Sequence, residues 1–305
     1  MEEQIRIAAF KWIEEQVQIY GEVLPRTLLE KGFIFNGQRI TLVGPQGIWK
    51  PSVFEKIPIS ITTVAGGPYD DFFTKDGFLN YRYRGTDINH RDNVGLREAM
   101  LKQIPLIYFH GIVPGKYLAV WPVFVIGDDP ETLSFTLAAD EPISVVQYLN
   151  ASHTTDMPKV SDESTYYKRS YITSAVKRRL HQKSFRERVL EAYRQQCTFC
   201  KLRHAELLDA AHIIPDSEEL GEPLVNNGLS LCKIHHAAFD SNIIGVTPDY
   251  RIKVRKDILL ERDGPMLEYG FQQLHNREII LPKNKSLWPD QERLEIRFER
   301  FIKAG

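Results

Sequence analysis

The chain has 305 residues, 43% of them hydrophobic and 26% charged, with a formal net charge of -1. That is enough apolar material for at least one full core and, by length, about two domains. No apolar run reaches the roughly 18 residues a membrane span needs, and the start, Met1-Glu-Glu-Gln, is acidic where a secretion signal is basic, so the expectation is a cytoplasmic protein with no membrane association.

The chain opens on an amphipathic pattern, with Ile5, Ala8, Ala9, Trp12, Ile13, Val17 and Tyr20 at helical spacing and Gly21 as the stop. A short second helix is expected near Pro25. Asn36-Gly37 between Phe33-Ile-Phe and Arg39-Ile-Thr-Leu-Val is a hairpin signal, because a tight two-residue turn needs positive φ at both positions. Strand-like runs follow at Ile57 to Val64, Phe78 to Arg84, Ile104 to Val113, Tyr117 to Ile126 and Thr132 to Ala138. One helix, about Asn93 to Lys102 with Asp92 as its cap, interrupts them. This succession predicts a small mixed barrel or sandwich over 1–145, then a Ser/Thr/Asp/Pro-containing linker over 146–168. A helix is expected from about Ser170 to Arg194, strands at Ile243 to Val246 and Arg251 to Arg255, and a closing helix from Pro289 to Ile302, making 169–305 a second domain.

The charge is unevenly spread. Between Lys168 and Arg203 eleven basic residues stand against two acidic ones, Glu187 and Glu191. Lys177, Arg178 and Arg179 within this window suit phosphate contacts, and a solvated helix face is the alternative.

All three cysteines fall in the second domain, in the order Cys197-x-x-Cys200 and Cys232-x-x-His235. Two such pairs about thirty residues apart have the spacing and softness of a closed tetrahedral zinc site. Four protein ligands leave no position for water, so this zinc is expected to be structural. His212, Asn227 and His236 remain, threaded between the pairs.

The segments Ala211-His-Ile-Ile-Pro215, Asn227-Gly-Leu-Ser-Leu-Cys232 and His235-His-Ala-Ala-Phe-Asp240 closely resemble the HNH (ββα-metal) endonucleases, especially bacterial restriction types, over about Thr173 to Asp240. The resemblance implies a β-hairpin carrying His212, a loop carrying Asn227 and a helix carrying His236. It makes His212 the general base toward a phosphodiester, Asn227 the residue that holds the loop and orients His212, and His236 a ligand of a catalytic Mg2+, Mn2+, Co2+ or Ni2+ ion. Many family members carry a second metal ligand where this chain has Ala211. Asp209 is the nearest acidic substitute, but on a regular strand it faces away from His212, so ligation and a bracing role both stay open, as does bracing or turn capping by Asp240.

In the first domain Phe78-Leu-Asn-Tyr-Arg-Tyr-Arg-Gly85, Thr86-Asp87, His90 to Arg97 and Pro105 to Gly115 resemble the SRA-like branch of the PUA-like barrels, which sense modified bases in some restriction enzymes. A base-reading pocket needs aromatics to stack an extruded base and a few polar groups to read its edge. Trp49, Tyr69, Asp70, Asp71, Tyr81, Tyr83 and Tyr108 are available for that, and Arg82, Arg84, His90 and Arg91 for phosphates. Alternation in Tyr81-Arg-Tyr-Arg84 puts tyrosines on one strand face and arginines on the other.

The expectation is therefore an α+β protein: an SRA-like/PUA-like mixed β-barrel followed by a zinc-containing HNH domain. It would act on double-stranded DNA carrying modified cytosine, as a homodimer because one HNH site handles one strand. Nuclease action on unmodified DNA, of toxin or homing type, and an inactive modified-DNA-binding protein are the alternatives.

Overall fold

A computed structural model describes residues 1–64, 72–74, 77–141, 163–262 and 264–305. The chain divides into two compact units, Met1–Lys183 and Ser184–Gly305. Both mix helices with strands. Among the described residues no helix is long and apolar enough to cross a membrane.

The first unit begins with α1 (Glu2–Tyr20), which buries Ile5, Ala9 and Ile13 one turn apart and stops at Gly21, φ 80°. Arg6 is buried on the same helix. Its guanidinium donates to the carbonyls of Pro58 and Ile57 at 2.8 and 3.1 Å and lies over the Phe54 ring, so burial lowers its pKa to about 10 without stranding the charge. Next come β1 (Val23–Pro25), α2 (Arg26–Lys31), and the hairpin of β2 (Phe33–Phe35) and β3 (Gln38–Ile40), turned by Asn36 and Gly37 at φ 47° and 79°.

The remaining strands are β4 (Ile48–Trp49), β5 (Ser60–Thr63), β6 (Phe72–Phe73) and β7 (Leu79–Arg82). After α3 (Arg91–Leu101) follow β8 (Leu106–Val113), β9 (Lys116–Asp129) and β10 (Ser134–Ala139). They form one curled sheet in the order β4-β5-β8-β9-β10-β7-β6, with β1 pairing the start of β9. Every contact is antiparallel except β5 with β8.

The long apolar runs of β8 and β9 arise because both sheet faces are covered. Leu106, Tyr108, Leu118 and Val120 enter one core, with Leu96 and Ala99 of α3. Ile107, Phe109, Tyr117 and Ala119, of opposite parity, enter another with Ile5, Ala9 and Ile13 of α1.

Two local expectations are corrected. The cap of α3 is His90, whose Nδ1 accepts the Asp92 N–H at 3.2 Å, while Asp92 is taken by the guanidinium of Arg84. The helix expected from Ser170 starts earlier: α4 spans Glu163–Ala192, so 163–168 are helical, and the rest of the expected linker, 146–162, lies outside the described residues. The unit boundary falls within α4. Its stripe of Arg169, Thr173, Val176 and Leu180 is buried in the first unit and Phe185, Val189 and Leu190 in the second.

In the second unit β11 (Leu208–His212) and β12 (Gly228–Cys232) pair antiparallel without interruption, and α5 (Lys233–Asp240) follows. Then come the pair β13 (Ile244–Val246) and β14 (Ile252–Val254), the short helices α6 (Lys256–Leu260) and α7 (Pro265–Gly270), and α8 (Gln291–Ala304). One core joins Phe185, Val189 and Tyr193 to Leu208, Leu229, Leu231, Phe239, Val246 and Leu294.

Candidate functional site

Cys197, Cys200, Cys232 and His235 place one donor atom each within 4.8 Å of one another. The first pair sits on a tight knuckle: the Lys201 N–H donates to Cys197 O at 3.0 Å, the Cys197 N–H to Leu202 O at 2.9 Å, and Lys201 takes φ 66°. The second pair spans the junction of β12 and α5, so one helical turn brings His235 back to Cys232. His235 Nδ1 lies 3.2 Å from Cys232 Sγ and 3.4 Å from Cys197 Sγ, while Nε2 stands 2.8 Å from Gly270 O at the end of α7. That carbonyl fixes the tautomer with Nδ1 facing the thiols.

Hydrogen bonds from Cys197 and Cys200 pull the Cys232 thiol down. Burial works against protonation of His235, but Cys200 and Cys232 outweigh it and push the imidazole up to about 10. Three sulfurs and one imidazole sharing protons at this range are the donor set a tetrahedral zinc site uses.

His212 ends β11, opposite Gly228. A Cβ at Gly228 would lie 2.5 Å from Val189 and 2.9 Å from Phe185, so the glycine lets α4 approach the strand pair. There the Phe185 ring stacks on His212 at 4.0 Å between centroids and 16° between planes. Burial lowers the His212 pKa, with Asp216 and Asp240 opposing and His236 assisting that shift. Nε2 of His212 is buried with no hydrogen-bond partner among the described residues. The site thus favours the neutral form of the imidazole and leaves one ring nitrogen without a partner.

His236 lies between two carboxylates: Nδ1 is 3.7 Å from Asp209 Oδ2, and Nε2 is 3.3 Å from Asp240 Oδ2. Asp209 was expected to need a bulge to join the site. The β11–β12 register is regular, and α5 packing against β11 makes the contact instead. Asp240 meets His236 one helical turn on, the i, i+4 spacing that puts both on one face of α5. Ala211 is fully buried and, two residues on in a regular strand, shares the face of Asp209, but its methyl offers no ligand atom.

Asn227 is fully buried and spends its whole amide on the loop after His212. Its Oδ1 accepts the Ile214 N–H at 2.9 Å, and Nδ2 donates to the carbonyls of Ile214 and Glu222 at 3.0 Å each. It makes no hydrogen bond to His212; it holds the backbone that follows it.

In the first unit a cavity of about 420 Å³ is lined by Arg26, Gly44 to Ile48, Thr62 to Val64 and Tyr81 to Arg84. The alternation holds, with Tyr81 and Tyr83 buried and Arg82 exposed. Several of the proposed readers are occupied. The Tyr83 hydroxyl is bonded to Asp128 and to Arg97, the Arg84 guanidinium to Asp92 and Gln46, and His90 caps α3. Tyr108 is fully buried with its hydroxyl against Thr63 and His110. The Trp49 indole donates to Thr41 O at 3.0 Å. Arg91 is exposed, 3.5 Å from Asp92. Tyr69, Asp70 and Asp71 lie outside the described residues.

Among the described residues, five of the eleven basic residues of the window meet an acidic side chain within their own unit, among them Arg186 with Glu187 at 2.6 Å and Asp209 at 3.8 Å. Arg169 pairs with Asp140 at 3.0 Å, Lys168 with Glu141 at 3.1 Å, and Arg179 and Lys183 both with Glu22. Arg186 and Arg188 donate to backbone carbonyls, and Lys177 is also engaged. Arg178 is exposed and has no ion-pair partner among the described residues.

Residues 197–247, which contain the thiol–imidazole cluster, His212, Asn227, His236 and Asp240, match the family model of the HNH endonucleases. The chain carries an HNH endonuclease domain. Its enzymatic class is therefore DNA endonuclease. No curated protein matches the chain at a significant level. Among solved structures, the modification-dependent TagI restriction endonuclease is 16% identical, with 94% of this chain and 89% of that one covered and a TM-score of 0.29. The type IV phosphorothioation-dependent restriction endonuclease ScoMcrA is 17% identical, with 59% of this chain and 52% of that one covered and a TM-score of 0.20.

Proposed function

We propose that the chain is a modification-dependent restriction endonuclease, with the HNH domain cutting DNA and the N-terminal unit reading a modified cytosine. The observation that carries the catalytic half is the buried, unpartnered Nε2 of His212 beside the Asp209–His236–Asp240 cluster. A neutral imidazole is able to take a proton from water attacking a phosphodiester through its unprotonated ring nitrogen. Phe185 excludes solvent from one ring face, and Asn227 fixes the loop that follows.

Asp209 and Asp240 flank opposite ring nitrogens of His236, so His236 with Asp209 on its Nδ1 side or Asp240 on its Nε2 side would hold a divalent cation, Mg2+ or Mn2+, Co2+ or Ni2+, which supplies charge stabilisation at the phosphoryl and leaving oxygens. Cys197, Cys200, Cys232 and His235 would hold a structural Zn2+. In the N-terminal unit the cavity beside Tyr81 and Arg82 would take an extruded base, with the exposed Arg91 and Arg178 available to meet phosphates. Two copies would be needed for concerted cleavage of both strands, which makes a homodimer the expected assembly.

The test is cleavage of plasmids carrying 5-methylcytosine, 5-hydroxymethylcytosine, glucosylated bases, N6-methyladenine or no modification, each with Mg2+, Mn2+, Co2+ and Ni2+. Cutting confined to modified-cytosine DNA is expected, and lost in His212→Ala with zinc content retained. Equal cutting of unmodified DNA refutes the reading role; activity in His212→Ala refutes the catalytic one.

A further inference from the structure

Helix α8 lies outside the span that matches the HNH family, yet three of its arginines reach the segments that carry the site. Arg293, Arg297 and Arg300 stand at i, i+4 and i+7, hence on one helix face. Arg293 donates to Asn226 Oδ1 at 3.0 Å and to Glu222 Oε2 at 3.1 Å, next to Asn227 and in the loop that Asn227 holds. Arg297 donates to Phe239 O at 2.6 Å and lies over the Phe239 ring at 4.7 Å, at the end of α5 where Asp240 sits. Arg300 grips Glu218 with two bonds, 2.7 and 2.6 Å, in the loop that carries Asp216 past His212. The helix start adds a fourth tie, the Asp290 N–H to Asn226 O at 2.9 Å.

The docking of α8 does not depend on these arginines. Leu294 and Phe301 are buried in it, and the Phe301 ring packs on Gly245 so closely that a Cβ there would lie 2.6 Å away. The loop they grip runs over 213–226, and apart from Asn227 its side-chain ties come from Arg188, Arg293 and Arg300.

We infer that Arg293, Arg297 and Arg300 are positioning residues, a three-point clamp by which the closing helix sets the register between the His212 loop and the His236–Asp240 helix. The inference rests on the proposed catalytic site. Arg293 and Arg300 hold two points of the loop after His212 and Arg297 holds the end of α5, so the clamp fixes the distance between these two segments rather than the fold of either. Arg297 acts on Asp240 through the backbone it bonds, and Arg293 and Arg300 act on the loop after His212.

The experiment uses the full-length protein with Arg293→Ala, Arg297→Ala, Arg297→Lys, Arg300→Ala and, as a surface control on the same helix, Glu299→Ala. Readouts are kcat and KM for DNA cleavage, Mn2+ affinity by calorimetry, zinc content, and amide exchange at Ile213 and Ile214. The expected result is kcat lowered about tenfold or more with KM within twofold for each alanine variant, and Glu299→Ala unchanged. Mn2+ affinity should weaken in Arg297→Ala and partly recover in Arg297→Lys, and exchange at Ile213 and Ile214 should quicken in Arg293→Ala and Arg300→Ala. The charge-reversed pair Glu218→Arg with Arg300→Glu should regain most of the kcat that either single change loses.

Values of kcat within twofold of the parent, failure of the reversed pair to recover, or loss of zinc and of the folding transition in the single variants would each overturn the clamp. If the parent cleaves no DNA with any metal, the catalytic reading fails, and the Mn2+ and exchange arms still decide whether the clamp exists.

Discussion

Gly228→Ala tests the packing that places the proposed base. The added methyl would stand 2.5 Å from Val189 Cγ2 and 2.9 and 3.1 Å from two Phe185 ring carbons, about 1 Å inside ordinary contact. Both neighbours are buried in the second unit's core. Overpacking of this kind costs about 1–3 kcal/mol. With a midpoint shift of about 4 °C per kcal/mol for a unit of this size, thermal unfolding should move down by roughly 4–12 °C. Because Phe185 stacks on His212, the displaced ring should also cut kcat, while zinc content stays that of the parent. Val189→Ala in the same chain opens room for the methyl, so the double variant should be more stable than the sum of the single losses implies. A midpoint unchanged within 1 °C, or strict additivity of the two changes, would refute this account of the contact.

The remaining predictions concern charge and metal. Burial lowers the His212 pKa from its ordinary 6.5, so the neutral form persists to lower pH and the acid limb of kcat/KM should lie below 6.5; a limb above 6.5 contradicts the assignment. For stability the sign is the same: the unfolded chain takes up that proton first, so this residue makes the second unit lose stability as pH falls through 6.5. Asp140→Ala strands Arg169, whose side chain is 8% exposed, and should cost about 3–5 kcal/mol in chemical denaturation, whereas Asp140→Leu with Arg169→Met should be near neutral. Asp209→Asn and Asp240→Asn should each raise the Mn2+ concentration for half-maximal cleavage with zinc content unchanged; an unaltered metal requirement would remove that carboxylate from the site. Cys200→Ala should lower zinc content by metal analysis and destabilise the second unit alone.

Much of this protein is legible in one dimension because its signals are local. The two Cys-x-x-Cys and Cys-x-x-His turns can grip one ion only in a narrow geometry, so their spacing already implied a common centre, and four donors within 4.8 Å are found. Asn36-Gly37 and the period-3.6 stripe of α1 likewise encode backbone conformations that need no distant partner. What depended on the tertiary structure is what forms between segments. That Asp209 reaches His236 is set by how α5 packs on β11, a contact that strand parity, which only turned Asp209 away from His212, left open. Asn227 bonds Ile214 rather than His212 because the loop folds back over it. Four of the basic window's charges were paired once Glu22, Asp140 and Glu141 were brought to it. Contacts of this sort span tens of residues and depend on the packing of whole elements, so residue order alone carries them only as possibilities, and the folded chain selects among them.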